Sequence, residues 1–145
     1  MKIESIMNPD VICINMDERL SVVRELFIKH KFHFLMVVDH NKELVAVMSD
    51  RDYFKATNTN IELPSANEKD LATLNKRVHQ IISKKLVAVK QFSSFGEAIR
   101  VFHDKNISCL PVVNVHNQPV GMVTWRNIVD WLYGKITTPK NSSDD

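Results

Sequence analysis

The chain repeats itself at a fixed offset, and this constrains its fold more than any other feature. Residues 3–57 lie on residues 78–132 without a gap. Ile6 meets Ile81, Phe27 meets Phe102, Leu35 meets Leu110, Val37-Val38 meets Val112-Val113, Val45 meets Val120 and Arg51 meets Arg126. Between these identities the apolar character is kept, as in Val11/Leu86, Ile14/Val89, Leu26/Val101, Phe32/Ile107, Met48/Val123 and Phe54/Val129. A unit of about 55 residues with one apolar sheet face buries that face poorly alone. Two such units packed sheet to sheet, about a pseudo-two-fold axis, bury both.

Each copy reads as β-α-β-β-α, so the fold class is α/β. Val11-Ile12-Cys13-Ile14 and Leu86-Val87-Ala88-Val89 are short apolar runs suited to buried strands. A helical pattern follows at Leu20, Val23, Leu26 and Phe27, and again at Phe95, Ala98, Ile99 and Phe102, with Ser94-x-x-Glu97 as a capping box for the second. The next strands lie at 35–38 and 110–113. Polar turns at 39–42 and 114–117 lead to strands at 44–48 and 120–123, and last helices open at Ser49 and Thr124. The expected layout is repeat 1 at residues 1–57, a linker at 58–77, repeat 2 at 78–134 and a disordered polar tail at 135–145. In the linker, Ser65-x-x-Glu68 is a further capping box, and Leu71, Leu74 and Val78 form the apolar stripe of a short helix.

Composition excludes several function classes. The three glycines, Gly96, Gly121 and Gly134, build neither a dinucleotide-binding fingerprint nor a P-loop. A balance of 19 basic against 17 acidic residues lacks the basic footprint of a nucleic-acid binder. None of the six histidines has zinc-site spacing, and no nucleophile motif is present, so an enzyme is not expected. Cys13 and Cys109 sit among apolar neighbours and read as buried, reduced thiols. The first residues, MKIESIMNPD, lack the apolar core of a signal peptide, and no apolar run approaches the length of a membrane span. A cytoplasmic protein is the expectation.

Two stretches carry a family resemblance. Copy two has Leu110-Pro111-Val112-Val113 followed by Gly121-x-x-Thr124-x-x-Asn127; copy one has Leu35-Met36-Val37-Val38 followed by Ala46-x-x-Ser49-x-x-Asp52. This resembles the CBS (cystathionine-β-synthase) domain, whose hallmarks are an apolar-Pro-Val-Val strand end and then Gly-x-x-[Ser/Thr]-x-x-Asp. The linker stretch EKDLATLNKRVHQI is similar to that of small standalone bacterial CBS pairs, including the acetoin-utilisation type. The resemblance implies a regulatory module with two clefts between the copies, taking adenosyl ligands such as AMP, ADP, ATP or S-adenosylmethionine.

The resemblance also implies roles for single residues. Asp52 would accept the ribose hydroxyls, with Ser49 assisting. Asp10, Val11 and Ile12 would present backbone to the adenine, and His33, Phe34 and Met36 would wall the pocket. Arg51, Arg126, Lys84 and Lys85 are candidate phosphate partners, and Thr124 and Asn127 mark the second cleft. Beside these roles stand plainer ones. Ser49 and Asp52 are also placed to cap a helix, Phe34 and Met36 to fill the core, His33 to sit on a strand edge, and Lys84-Lys85 to face solvent. Copy two departs from the pattern, because the Asn127 amide lacks the charge and one of the acceptors of a carboxylate. Met36 and Ala46 replace the usual proline and glycine in copy one.

Two functions follow: a nucleotide-sensing regulatory module, or a ligand-free dimerisation module that kept the fold. Phe27, Phe54, Phe102, Trp131 and Tyr133 carry more apolar surface than one small pair covers, so a homodimer is expected. Output would pass to a regulated protein in trans.

Overall fold

The computed structural model describes residues 1–57, 67–83 and 85–137. Repeat 1 runs β1 (Cys13–Asn15), α1 (Leu20–Lys29), β2 (Phe34–Val38), β3 (Leu44–Ser49) and α2 (Asp50–Ala56). A short helix α3 (Glu68–Ala72) precedes repeat 2, which runs β4 (Val89–Lys90), α4 (Phe95–Lys105), β5 (Cys109–Val113), β6 (Pro119–Thr124) and α5 (Trp125–Thr137). The order is the expected β-α-β-β-α, twice. Each repeat has a three-stranded sheet, β1-β2-β3 or β4-β5-β6, whose first pair is parallel and second antiparallel. A register shift falls at Val37/Val38 in one sheet and at the equivalent Val112/Val113 in the other.

The first strands are shorter than the apolar runs suggest. Val11 and Ile12 lie outside β1 because the chain is still turning: Asp10 N–H donates to Asn8 Oδ1 and Val11 N–H to Pro9 O. The apolar stripe of the linker is also not one helix. Leu74 stands in a 3-10 turn at Thr73–Asn75, Val78 in another at Val78–Gln80, and Leu71 is exposed. The Ser65 capping box lies outside the described residues. Ser94 Oγ does cap α4 by accepting from Glu97 N–H. The final helix continues through positions 135–137, past the expected start of the tail, with Lys135 Nζ lying over the Trp131 ring.

The two repeats exchange their leading segments. Ile3 is fully buried in the core of repeat 2 with Ala98, Phe102, Leu110 and Val123, and Ile6 and Met7 pack beside it. Val78 is buried in the core of repeat 1 with Leu20, Leu35 and Tyr53, and Ile81 and Ile82 pack beside it. The hydrogen bonds obey the symmetry of the repeat. Ile3 N–H donates to Ser93 O, and Val78 N–H to Glu18 O; Phe95 N–H donates to Met1 O, and Leu20 N–H to Lys76 O. A third cluster, Met36, Leu44, Cys109 and Val113, joins the two sheets.

Gly121 shows why one segment lies so close. A Cβ there would stand 2.5 Å from Met7 Sδ and 3.1 Å from the Asn8 carbonyl oxygen. Asn8 pairs with Met122 through two backbone bonds, Asn8 N–H to Met122 O at 2.8 Å and Met122 N–H to Asn8 O at 3.0 Å. The glycine therefore admits the protein's own leading segment. At the equivalent Ala46, buried in the core of repeat 1, no matching bridge joins β3 to positions 81–83 among the described residues.

Of the aromatic residues expected on an outer face, Phe102 is 3% exposed and belongs to the core, because α4 turns it inward with Ala98. Phe54 and Tyr133 are exposed, and Val129, Leu132 and Ile136 join them on the outside.

Candidate functional site

Two clefts open between the repeats. The first, about 260 Å³, is lined by Ser49 and Asp52 on one side and by Lys85, Leu86, Val87, Ser108 and Cys109 on the other. The second, about 540 Å³, places Thr124, Trp125 and Arg126 opposite Asn8, Asp10, Ile12, Lys31 and His33. Phe34 and Ser108 line both clefts.

Exchange of the leading segments decides what faces what. The junction from third strand to last helix of one repeat meets the pre-strand segment of the other. Ser49 and Asp52 are thus brought together with Lys85 and Phe34, as expected, but not with Asp10, Ile12 or His33, which line the cleft of Thr124 and Arg126. Moving the expected wall residues to their equivalents in the other repeat corrects the assignment. Asp10, Val11 and Ile12 become Lys85, Leu86 and Val87; His33, Phe34 and Met36 become Ser108, Cys109 and Pro111, and all six line the Asp52 cleft. Of these, Leu86, Val87, Ser108, Cys109 and Pro111 were missed because the walls were sought in the same repeat as Asp52.

Four other expected residues, Met36, Val11, Arg51 and Asn127, line neither cleft. Met36 is fully buried in the cluster between the sheets, where an unbranched side chain fills the gap, so it walls no pocket. Val11 packs against that same cluster. Arg51 is exposed on α2 and lines neither cleft, since one residue before Asp52 on a helix points to a different face. Lys84 lies outside the described residues.

The Ser49–Asp52 pair does cap α2. Asp52 N–H donates to Ser49 Oγ at 3.1 Å, and Ser49 N–H donates to Asp52 Oδ2 at 2.9 Å, closing a full capping box. A carboxylate has two oxygens, and only Oδ2 is used. Among the described residues none bonds Asp52 Oδ1, so capping leaves an acceptor for a ligand hydroxyl. The equivalent pair differs. Asn127 Oδ1 accepts both the Thr124 N–H at 2.8 Å and the Thr124 hydroxyl at 3.1 Å. The one acceptor of that amide is spent inside the protein, and only its NH2 is left to offer a ligand.

Charge also separates the clefts. The Asp52 cleft holds one described cation, Lys85. The Thr124 cleft holds Lys31 and Arg126, but Arg126 Nε is paired with Asp130 at 3.1 Å. His33 Nδ1 lies 3.0 Å from Asp50 Oδ2, on the residue that follows Ser49, and His33 O accepts from Asp50 N–H. The residue just before β2 therefore lines one cleft and anchors the helix that opens at the other. Burial pushes the Cys109 thiol up to about 12, so it is a protonated wall group at neutral pH, 3.8 Å from Met122 Sδ. Among the described residues no cluster of His, Cys, Asp or Glu could hold a metal ion, and no helix is long and apolar enough to cross a membrane.

The chain matches the family model for the CBS domain twice, over residues 3–58 and 78–134. It is 30% identical over 138 residues to a CBS domain-containing protein of Dictyostelium discoideum, with 94% of each chain covered. It spans only 40% of an uncharacterised protein and 23% of the inosine-5'-monophosphate dehydrogenase of Methanocaldococcus jannaschii, at 27% and 23% identity. Its fold is that of the CBS domain pair of protein MJ0100, solved in complex with 5'-methylthioadenosine and S-adenosyl-L-methionine (TM-score 0.72, 22% identity, 93% of this chain and 98% of that one). It is also that of CBSX2 in complex with AMP (TM-score 0.73, 22% identity, 94% and 98% covered). A Vibrio cholerae protein assigned to acetoin utilisation, AcuB, shares the fold at TM-score 0.72 and 19% identity, over 97% and 98% of the two chains.

Proposed function

Because the chain belongs to the CBS domain family and carries two copies in tandem, we propose that it is a regulatory module that binds an adenosyl ligand in the Asp52 cleft and signals occupancy to a partner protein. The observation that carries this is the free Oδ1 of Asp52, held by a complete capping box at the edge of the cleft. Vicinal ribose hydroxyls are donors, and a fixed carboxylate oxygen accepts them in a charge-assisted bond. Leu86 and Val87 supply an apolar wall for the adenine, and Lys85 supplies one positive charge. The single described cation, Lys85, suits the one phosphate of AMP better than the two or three of ADP or ATP, and S-adenosylmethionine and methylthioadenosine have no phosphate to pair. CBS pairs of this fold have been solved with AMP and with the two thioadenosyl compounds.

The Thr124 cleft is the weaker site. With Asn127 Oδ1 consumed, it offers no equivalent acceptor to a ribose. This favours one adenosyl ligand per chain, and it is the observation behind the other reading, a dimerisation module without ligand. The exposed Phe54, Val129, Leu132, Tyr133 and Ile136 on α2 and α5 support pairing with a second copy. The proposed setting is the cytoplasm, with no nucleic acid or membrane as partner.

Calorimetric titration with AMP, S-adenosylmethionine and ATP tests the assignment. One site per chain is expected, weakened tenfold or more by Asp52→Ala and unchanged by Asn127→Ala. Equal affinity in wild type and Asp52→Ala overturns the ribose role. Absence of heat and of any melting shift at millimolar ligand overturns ligand binding and leaves the dimerisation module.

A further inference from the structure

A third cavity, about 370 Å³, lies away from the adenosyl clefts. The clefts use the leading end of β2, at Phe34, and the trailing end of β3, at Ser49. This cavity uses the trailing ends of β1 and β2, at Asn15 and Val38, together with Lys42 and Pro119. It is therefore at the opposite end of the sheets.

The pseudo-symmetric position is built differently. In the symmetric position, Leu44 N–H donates to Asn117 O at 2.8 Å, and Asn117 Nδ2 reaches Leu44 O at 3.4 Å. These bonds draw the 114–117 turn of repeat 2 onto the start of β3. On the cavity side the repeat equivalent of Leu44 is Pro119, and that of Asn117 is Lys42. Proline has no N–H to give the Lys42 carbonyl. Lys42 has no short amide to reach back to the strand. Among the described residues the 39–42 turn instead meets repeat 2 through the Gln118 Nε2 bond to Asn41 O at 3.3 Å, which leaves the space beside Lys42 open.

What lines the space defines a chemistry. Ile14, Val38 and Pro119 form apolar walls. Two polar side chains are partly committed: Asn15 Oδ1 accepts from Asp17 N–H, and the Gln118 amide bonds Asn114 and Asn41. Lys42 is the one cation in the lining, its backbone held at φ 63° and its ammonium paired with no acidic side chain among the described residues. One cation over an apolar floor matches a monoanion with a short apolar tail. We propose that this cavity is a separate binding site for a small aliphatic carboxylate, with its tail against Ile14, Val38 and Pro119 and its carboxylate on Lys42.

Hexanoate is the probe, with hexanol as its uncharged counterpart. Amide chemical shifts of Cys13, Ile14 and Gln118 should move in saturable fashion with hexanoate. Lys42→Met should weaken hexanoate at least tenfold and leave hexanol unchanged. Hexanoate should also slow alkylation of Cys13, which lines the cavity. AMP affinity should be the same in Lys42→Met and wild type, so the outcome does not depend on the Asp52 cleft. Equal binding of hexanoate by wild type and Lys42→Met overturns the proposal, as do shifts confined to residues outside the cavity.

Discussion

Gly121→Ala adds one methyl to a buried strand, and the structure says what it meets. The new Cβ stands 2.5 Å from Met7 Sδ, 3.0 Å from Met7 Cγ and 3.1 Å from Asn8 O. The methionine side chain can rotate away at small cost. The carbonyl cannot, because moving Asn8 lengthens both of its backbone bonds to Met122. Weakening two hydrogen bonds costs about 0.5–1.5 kcal/mol each. Against this, replacing glycine by alanine restricts the unfolded chain and stabilises by about 0.4–1 kcal/mol. The net is a loss of up to about 2.6 kcal/mol, centred on about 1.3 kcal/mol, or a fall of about 4 °C in melting temperature for a chain of this size.

Urea denaturation of four proteins tests this: wild type, Gly121→Ala, Met7→Ala and the double variant. The midpoint should drop in Gly121→Ala with an unchanged slope. Removing the Met7 side chain should not restore the loss, because the obstacle is backbone. Asn8 lines the Thr124 cleft, so any ligand effect should appear there and not at Asp52. A Gly121→Ala variant as stable as wild type refutes the close-approach argument. Full rescue by Met7→Ala refutes the assignment to the Asn8 carbonyl.

Other outcomes follow from the same geometry. Ile3→Ala should cost about 2–4 kcal/mol in urea denaturation, as a core truncation does, because Ile3 is buried against Ala98 and Phe102; a loss below about 1 kcal/mol contradicts the exchange of segments. Ser49→Ala removes one half of the capping box and should lower stability by about 1 kcal/mol, measured by thermal melting without ligand. The Cys109 thiol, at about 12 in the fold against an ordinary 9.0, holds its proton where the unfolded chain loses it. Its contribution to stability is therefore complete below pH 9 and declines as pH rises from 9 toward 12; the difference in urea midpoint between wild type and Cys109→Ala should follow that course. Alkylation of Cys109 at pH 8 should be slower than that of a free thiol by two or more orders of magnitude.

The offset between the copies made the order of elements legible, because period-2 and period-3.6 apolar patterns recur in both. It also made the Ser49–Asp52 junction legible, as cap and as candidate site. What it could not show is which copy faces which. Ile3 and Val78 occupy equivalent positions in the repeat, and burial of each in its own repeat or in the other satisfies the same apolar pattern. Only tertiary packing distinguishes the two, through bonds such as Ile3 N–H to Ser93 O that span most of the chain. A consequence reaches function. Each cleft takes one wall from each repeat, so neither repeat alone contains a complete site. The ligand proposed at Asp52 would touch β3 and α2 of repeat 1 and the pre-strand segment and β5 of repeat 2. Its binding energy therefore includes the contact between repeats, and loosening that contact must weaken the ligand by the same factor that the ligand tightens it. The outer helices α2 and α5 begin at the two cleft edges, Ser49 and Thr124, and they carry the exposed Phe54, Leu132 and Tyr133. A ligand that shifts the Asp52 junction would move the start of a helix whose far side exposes Phe54.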